Sequence, residues 1–245
     1  MGFRLLATPN CTADPLAADL ALLQHATEPQ AHVWEAPTCL VVPRSYRRHA
    51  QFDAVAAQFA ARSCPVHERP SGGGLVPQGP GILNLSLAYT LPGGPGAWME
   101  VVYRHLCALL QDVLRQQGVE THWQAVSGSF CDGRFNLACG TGAQARKIAG
   151  TAQYWRPLPR AVGRPGAHAV LAHAVLLVDP DLEVAHTWAN AFEQALDTGR
   201  HYDATRTVSV AQMLAPEIPP ALMPHLRQRL AERLEHAGPP TQTGH

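Results

Sequence analysis

Apolar residues recur at helical spacing in some segments of the chain and form short continuous or alternating runs in others. The helical pattern predicts α-helices over residues 15–26, 52–62, 97–117, 181–197 and 218–236. The apolar runs predict strands near residues 31–35, 38–43, 81–89, 121–127, 135–140, 144–154 and 168–178. Because these elements interleave without a regular βαβ repeat, the sequence predicts an α+β fold with a mixed, largely antiparallel sheet packed with helices.

Two local patterns refine this outline. The first helix is introduced by Asp14-Pro15, an N-cap residue followed by proline, and its apolar face is predicted to run through Leu16, Leu20 and Leu23. The strands near 135–140 and 144–154 flank a glycine-containing turn at 140–142. They therefore predict a β-hairpin.

A glycine-rich stretch precedes the strand at 81–89. It reads Arg69-Pro70-Ser71-Gly72-Gly73-Gly74-Leu75-Val76. Consecutive glycines permit close approach of another backbone or a ligand, so we interpret the stretch as a contact loop that leads directly into a buried strand. A flexible surface loop is the alternative. Arg69, at the edge of the loop, is either a surface charge or a ligand contact, and we favour the contact.

Asn84 is a polar residue inside the apolar run that follows the glycines. It lies between Leu83 and Leu85. A buried amide must find a hydrogen-bond partner. We therefore expect Asn84 either to be paired within the protein or to face a ligand.

Lys147 is the only lysine of the chain, which otherwise uses arginine for positive charge. An ammonium is a compact point charge on a thin stem, and arginine does not replace it at a contact that needs those properties. We interpret Lys147 as a site residue on the predicted hairpin. A chance survivor in an arginine-biased composition is the alternative.

Composition narrows the function classes. The chain has 245 residues, 46% of them hydrophobic and 16% charged, and its net charge is zero with histidine neutral. Neither a basic stripe nor a membrane-length apolar run is present, so nucleic acid and membranes are not expected partners. The N-terminal segment is broken by Pro9 too early for a secretory signal, and we expect a cytoplasmic protein.

The six cysteines show neither C-x-x-C pairs nor zinc-ligand spacing, and no metal site is expected. Cys39, Cys107 and Cys139 lie in apolar runs, where cysteine behaves as a small hydrophobe. Cys131 instead lies among small and polar residues in Gly128-Ser129-Phe130-Cys131-Asp132-Gly133. It is the candidate nucleophile.

Several motifs in order resemble the lipoate-protein ligase and octanoyltransferase family, whose catalytic domain is shared with biotin protein ligases. They are R-x-S-G-G-G-x-V-x-x-x-x-G-x-L-N from Arg69, G-R-x-x-L from Gly133, R-K-I-A-G-T-A-Q from Arg146, and the segments 34–42, 171–179 and 207–210. The resemblance covers about residues 14–214. It implies a biotin/lipoate protein ligase catalytic fold. Many ligases that the chain resembles carry an accessory C-terminal domain; from length and composition we instead expect residues 1–245 to form one catalytic domain that ends in the helix 218–236, without an accessory domain.

The resemblance implies two related reactions on the lysine of a lipoyl carrier domain. A transferase takes an octanoyl or lipoyl group from a carrier thioester through a cysteine acyl-enzyme and needs no cofactor. A ligase activates free lipoate with ATP and magnesium. The implied partners are an acyl carrier protein or a lipoyl domain, such as the glycine-cleavage H protein or 2-oxoacid dehydrogenase E2 domains.

The transferase is favoured by Cys131, which matches the nucleophilic cysteine of one group of these enzymes. A thiolate is stabilised beside a positive charge, and Lys147 is the candidate for that charge. The ligase is disfavoured because Gln78-Gly79 replaces the usual His-Asp and Phe135-Asn136 replaces the usual Asn-Asp. A divergent, non-catalytic acyl-binding module is a third hypothesis, and a biotin ligase is weaker because its Gly-Arg-Gly-Arg loop is missing.

The resemblance and the residue chemistry together give a candidate site. Its catalytic residues are Cys131 and Lys147. The candidate substrate-binding residues are Arg69, Ser71, Gly72, Gly73, Gly74, Leu75, Val76, Asn84, Gly150, Thr151, Ala152 and His173. A narrow apolar tunnel for an eight-carbon chain is implied, with Leu75, Val76, Leu83 and Leu85 as walls. His173 interrupts an apolar strand and is either a hydrogen-bonded core residue or a pocket residue.

Overall fold

The structure is a computed structural model that describes residues 2–7, 14, 16–24, 26–159 and 166–242. Its strands are β1 (Arg4–Leu5), β2 (Gln30–Trp34), β3 (Cys39–Pro43), β4 (Val66–Arg69), β5 (Val76–Gln78), β6 (Ile82–Pro92), β7 (His122–Trp123), β8 (Leu137–Cys139), β9 (Arg146–Pro157) and β10 (Ala167–Leu177). Its helices are α1 (Ala17–Gln24), α2 (Phe52–Ala61), α3 (Pro95–Gln116), α4 (Leu182–Ala195), α5 (Val210–Leu214) and α6 (Leu222–Glu235), with short 3-10 helices at 44–48, 142–144 and 204–206.

The main sheet has seven strands in the order β1-β2-β6-β10-β9-β8-β7. All neighbours are antiparallel except β1 and β2, which are parallel. The long central pair β6 and β10 is in register from Ile82 opposite Leu177 to Pro92 opposite Ala167. The prediction of an α+β fold with a mixed, largely antiparallel sheet is confirmed.

One face of this sheet forms the main hydrophobic core. Alternate residues of β6 and β10, such as Leu85 and Ala174, pack there against α3 and α6. Each fully buried leucine of this layer stabilises the fold by roughly 1.5–3 kcal/mol. Among the described residues, no helix combines the length and apolar character needed to cross a membrane.

Three further strands form a separate small sheet in the order β4-β3-β5. It packs with α2 and α4 around a second core that contains Phe52, Phe59 and Phe192, whose rings meet nearly edge to face. The glycine-rich stretch was predicted to lead directly into a buried strand, but it first forms β5, which pairs with β3. The predicted strands therefore belong to two sheets.

Two other expectations are wrong in detail. The strand predicted at 121–127 stops at Trp123, because the chain turns away and the amide of Val126 is held by the Asp132 carboxylate at 2.7 Å. The apolar face of α1 is rotated from its prediction: Asp19 is buried with the leucines, and Leu20 is 39% exposed. Residue 15, the first of that predicted helix, and residue 25 lie outside the described residues.

Candidate active site

A pocket lies between the small sheet and the face of the main sheet opposite its core. The small sheet contributes Val41, Arg69 and Val76, and β9 and β10 contribute the opposite wall. The residues that line the pocket are Asp14, Leu16, Asp19, Leu20, Val41, Glu68, Arg69, Pro70, Ser71, Val76, Pro77, Gln78, Phe130, Cys131, Lys147, Gly150, Thr151, Ala152, Gln153, Tyr154, Leu171, His173, Val175 and Leu177. Its wall is largely apolar, which suits an aliphatic chain.

Cys131 lies in the loop between β7 and β8 with a backbone φ of 44°, a left-handed conformation that is uncommon outside glycine. Its Sγ accepts a hydrogen bond from the amide of Gly74 at 3.2 Å and one from Nη2 of Arg69 at 3.8 Å. A thiolate can accept both bonds. The loop thus presents the sulfur to two donors at the pocket wall.

Arg69 holds the glycine-rich loop in place. Its guanidinium donates to the carbonyls of Val41 at 3.0 Å, Gly72 at 3.1 Å and Gly74 at 2.6 Å. Burial lowers the pKa of Arg69, but a guanidinium stays protonated in proteins. Arg69 lines the pocket, and its three carbonyl contacts fix the backbone beside the sulfur.

Two of the three glycines pack against the candidate nucleophile. A Cβ at Gly73, whose φ is 102°, would lie 2.6 Å from Sγ of Cys131, and one at Gly74 would lie 3.3 Å from the Cys131 Cα. A Cβ at Gly72 would meet no atom within 4 Å. The contact with Cys131 therefore requires glycine at position 73 and leaves little room for a side chain at position 74, and Ser71 lines the pocket.

Lys147 reaches the same loop from β9. Its Nζ donates hydrogen bonds to the carbonyl of Phe130 and to that of Cys131, the latter at 3.2 Å. The side chain is buried, and this burial lowers the pKa of Lys147 to about 8. The sole lysine thus fixes the backbone that carries the candidate nucleophile.

A β-bulge aims Lys147 into the pocket. Leu137 of β8 pairs with Ala149, but the next residue of β8 pairs with Lys147, so Ile148 is an extra residue on β9. Ile148 and Ala149 both enter the main core. Because side chains alternate along a strand, Lys147 would face that core without the extra residue.

The strand beyond Lys147 completes this wall of the pocket. A Cβ at Gly150 would lie 3.0 Å from Nζ of Lys147, so glycine leaves room for the lysine stem. Thr151 donates from Oγ1 to the carbonyl of Phe135 at 2.7 Å, and Ala152 follows on β9. The three predicted binding residues of this segment all line the pocket.

A polar cluster lies at the other end of the pocket. Nδ1 of His173 is 3.0 Å from Oγ of Ser86 and 3.3 Å from Oδ2 of Asp19. Ser86 also accepts a hydrogen bond from Nε1 of Trp34 at 3.0 Å. His173 pairs in register with Ala152, five residues from Lys147 along β9, which is on the order of 15 Å. His173 is a pocket residue with hydrogen-bond partners.

Some predicted binding residues do not contact the pocket. Leu75 is buried in the second core, and Leu83 and Leu85 face the main core, because β6 alternates its side chains between the two faces. Asn84 is fully buried, and its amide exchanges two hydrogen bonds with Gln78 at 2.9 and 3.0 Å. Of the four predicted walls, only Val76 lines the pocket.

Sequence reasoning missed Asp19, Phe130 and Gln153 as pocket residues. A signal existed for the polar cluster, because Ser86 follows Asn84 by two residues and therefore lies on the same face of an otherwise apolar strand. In the described ranges, no group of three or more histidine, cysteine or acidic side chains converges as metal ligands would.

Comparisons with known proteins show the family to which the chain is similar. The model of the lipoyl protein ligase A/B catalytic domain matches residues 12–234. An uncharacterized protein of Cupriavidus necator is 53% identical over 237 residues, which are 93% of this chain and 94% of that protein. The octanoyl-[GcvH]:protein N-octanoyltransferase of Kyrpidia tusciae is 35% identical over 187 residues, which are 75% of this chain and 63% of that enzyme.

Solved structures share the fold. A T. acidophilum protein with bound lipoic acid superposes with a TM-score of 0.63 at 20% identity, covering 96% of this chain and 86% of that one. Lipoate-protein ligase A bound with ATP gives a TM-score of 0.63 at 19% identity, with 96% and 86% coverage. At these identities the likeness concerns the fold alone.

Proposed function

Because the chain belongs to the lipoyl protein ligase A/B catalytic domain family, we propose that it moves an octanoyl or lipoyl group from a carrier thioester to the lysine of a lipoyl carrier domain through an acyl-enzyme on Cys131. The observation that carries this proposal is the position of Sγ at the wall of an apolar pocket, within hydrogen-bond distance of Gly74 and Arg69. A thioester donor and no cofactor are what this chemistry requires.

The first step is thioester exchange. The thiolate of Cys131 attacks the thioester carbonyl carbon, a new C–S bond forms, and the carrier sulfur departs with its electron pair and takes up a proton. As Sγ becomes an uncharged thioester, the donors at Gly74 and Arg69 lose their anionic acceptor. One thioester replaces another, so no activation by a nucleotide is needed.

The second step forms an amide. The neutral amine of the acceptor lysine attacks the acyl carbon on Sγ, the C–N bond forms, and the C–S bond breaks. Sγ leaves as a thiolate, which the donors of Gly74 and Arg69 stabilise again. The amine loses one proton, which passes to solvent or to a neighbouring base.

Lys147 serves both steps as a positioning residue. An ammonium has three donors, and two of them bond the carbonyls of Phe130 and Cys131. At most one N–H remains for the acyl oxygen, where it would stabilise the charge that develops in the transition state. A pKa lowered to about 8 also makes the proton of Lys147 easier to release than that of an ordinary lysine.

The ligase reaction is less well supported by the contacts. The anion-binding groups that an adenylate needs are engaged: Arg69 donates to three carbonyls, and the amide of Gly74 donates to Sγ. Gln78, at a position where ligases carry an ionisable side chain, is paired with Asn84. These contacts favour the transferase over an ATP-dependent ligase.

The donor and acceptor are carriers of the lipoylation system. The K. tusciae relative is named for octanoyl-GcvH and a protein acceptor, and this relationship supports lipoyl carrier domains as partners here. A T. acidophilum ligase of the same fold was solved as part of a system with its E2 lipoyl domain. We therefore propose an octanoylated acyl carrier protein, which holds the octanoyl group as a thioester, as donor, and a lipoyl domain of an H protein or an E2 subunit as acceptor.

Intact-protein mass spectrometry tests the proposal. After incubation with octanoyl-acyl carrier protein, we expect a covalent octanoyl adduct that hydroxylamine removes and that Cys131→Ser does not form. A separate incubation with octanoate, ATP and magnesium should give no activated acyl species. Octanoyl-adenylate formation with full activity of Cys131→Ser would favour the ligase, and retention of octanoate without any turnover would favour an acyl-binding module.

A further inference from the structure

A cluster of aromatic and arginine side chains lies on the surface beside the candidate nucleophile. We call it the aromatic–arginine patch, and it comprises Met99, Tyr103, Arg104, Trp123, Arg134 and Phe135. Trp123 is 41% exposed and Met99 is 47% exposed, although both are large apolar residues. The side chain of Arg134 is 74% exposed. None of the six belongs to the pocket lining.

The patch is ordered by its own contacts. The rings of Phe135 and Tyr103 stack at 4.7 Å, and Trp123 lies 6.3 Å from Phe135. The guanidinium of Arg134 lies 5.1 Å from the Phe135 ring, and that of Arg104 lies 5.1 Å from the Trp123 ring. Stacked in this way, the side chains are already arranged before a partner arrives, which reduces the entropy cost of binding.

The patch lies across strand β9 from the pocket. Thr151 and Gln153 pair with the core-facing Ala174 and Ala172, so their side chains point to the α3 side of the sheet. Phe135 follows Cys131 by four residues, and its carbonyl accepts the hydrogen bond of Thr151 at 2.7 Å. Gln153, another pocket residue, donates to the carbonyl of Met99 at 2.9 Å. A protein seated on the patch would therefore lie one strand away from the pocket in which the acyl group is held.

The chemistry of the patch identifies its partner. Tryptophan, tyrosine and arginine are the residues that contribute most to binding energy in protein interfaces. The two arginines share one carboxylate, that of Glu100, which leaves, among the described residues, one guanidinium of the patch without a carboxylate of its own. The patch therefore presents an excess of guanidinium groups, on a chain whose net charge is zero.

We propose that the aromatic–arginine patch is the docking surface for the acceptor lipoyl domain, which it binds through carboxylates that flank the acceptor lysine. The inference rests on the proposed function for the identity of the partner. The guanidinium groups steer and orient an acidic surface, and the rings supply the apolar contact. The acceptor lysine then reaches the pocket around β9 at Thr151.

Charge reversal tests the docking surface. Arg104→Glu, Arg134→Glu and the double variant are compared with Arg115→Glu, a matched control on the same helix that pairs with Asp112. Acyl-enzyme formation from octanoyl-pantetheine, a small thioester without a carrier protein, should proceed at the wild-type rate in all of them. We expect the double variant to raise KM for an isolated E2 lipoyl domain at least tenfold, with less salt dependence than wild type and little change in kcat.

Direct binding keeps the docking surface testable even if the acyl-enzyme does not form. Calorimetric titration of the lipoyl domain into the wild-type protein, the double variant and the Arg115→Glu control measures docking without turnover. Weaker binding in the double variant alone supports the patch, whatever the chemistry at Cys131. Equal affinity in all three proteins overturns the docking proposal. A wild-type dimer in sedimentation that is monomeric in the double variant also overturns it, because the patch would then bind a second copy of the chain.

Discussion

Lys147 is buried as a cation whose hydrogen-bond partners are neutral carbonyls. Those of Phe130 and Cys131 orient the ammonium, but they do not replace the water that it loses on burial. Burial therefore lowers its pKa to about 8, and only part of this cost is offset by the charges of Cys131 and Asp132. The protonated form of Lys147 therefore destabilises the folded protein, although its position beside the loop 130–131 provides the two hydrogen bonds.

This cost predicts a pH dependence of stability. Between pH 8 and 10, the unfolded chain keeps the proton on Lys147 while the folded chain releases it, so folding becomes more favourable as the pH rises. We expect the free energy of unfolding of wild type to rise relative to that of Lys147→Met by about 1.4 kcal/mol per pH unit. Urea denaturation at pH 7, 8, 9 and 10 measures it.

The Lys147→Met variant also separates a loss of activity from a loss of structure. Methionine keeps the apolar stem, so the variant should fold. Acyl transfer should fall by roughly 100-fold or more, because the carbonyls of Phe130 and Cys131 lose their hydrogen-bond donor. Parallel stability curves for the two proteins across this pH range would contradict the buried ammonium.

At the scale of single residues, the sequence predicted chemistry better than orientation. The lone lysine, the exposed-bend cysteine and the arginine at the edge of the glycines do converge on one pocket. For Asn84 the residue pattern allowed a protein partner or a ligand, and the structure shows that the partner is Gln78. That pairing joins β6 to the small sheet, a contact that no local pattern encodes.

The glycine-rich loop gives a prediction at the scale of an element. Gly73→Ala places a Cβ 2.6 Å from Sγ of Cys131 at a φ of 102°, so we expect a loss of stability on the order of 2–3 kcal/mol and a loss of acylation. Gly72→Ala is the matched variant, since its Cβ meets nothing within 4 Å, and its unfolding free energy should change by less than about 0.5 kcal/mol. Thermal unfolding of both proteins is the measurement, and equal losses would show that the loop does not pack on the cysteine.

The sequence predicted the helices and strands that have a clear local periodicity. It missed the features that exist only through pairing between strands. The helix α3 and the central strands β6, β9 and β10 lie close to their predicted ranges. The bulge at Ile148 was not predicted, because the run around Lys147 reads as an ordinary strand and only its pairing with β8 shows the extra residue. The short strand β5 was missed for the same reason, since it exists only by pairing with β3.

At the scale of the whole molecule, the pocket lies at the interface between the main sheet and the small sheet, each of which packs on its own hydrophobic core. The main core lies on the far face of the seven-stranded sheet, and the second core lies behind the small sheet, around a buried Glu193 that accepts hydrogen bonds from Tyr46 and Tyr202 at 2.6 Å each. The sequence predicted one sheet, and a fold with one sheet has no interface between sheets at which such a pocket could form. An aliphatic chain in the pocket would touch both halves.

Because the pocket lies between the two sheets, we predict that an aliphatic chain attached to Cys131 stabilises the entire fold. In a Cys11→Ser background, methanethiosulfonate reagents should label Cys131, because Cys39, Cys64, Cys107 and Cys139 are buried and burial raises the pKa of each. At about 0.8 kcal/mol per buried methylene and roughly 2–4 °C per kcal/mol, the octyl disulfide should melt at least about 5 °C above the methyl disulfide. Dithiothreitol should abolish the difference, and Cys131→Ser should not show it. Equal midpoints for the two adducts would mean that the chain stays in solvent and that the pocket is not where the acyl group is held.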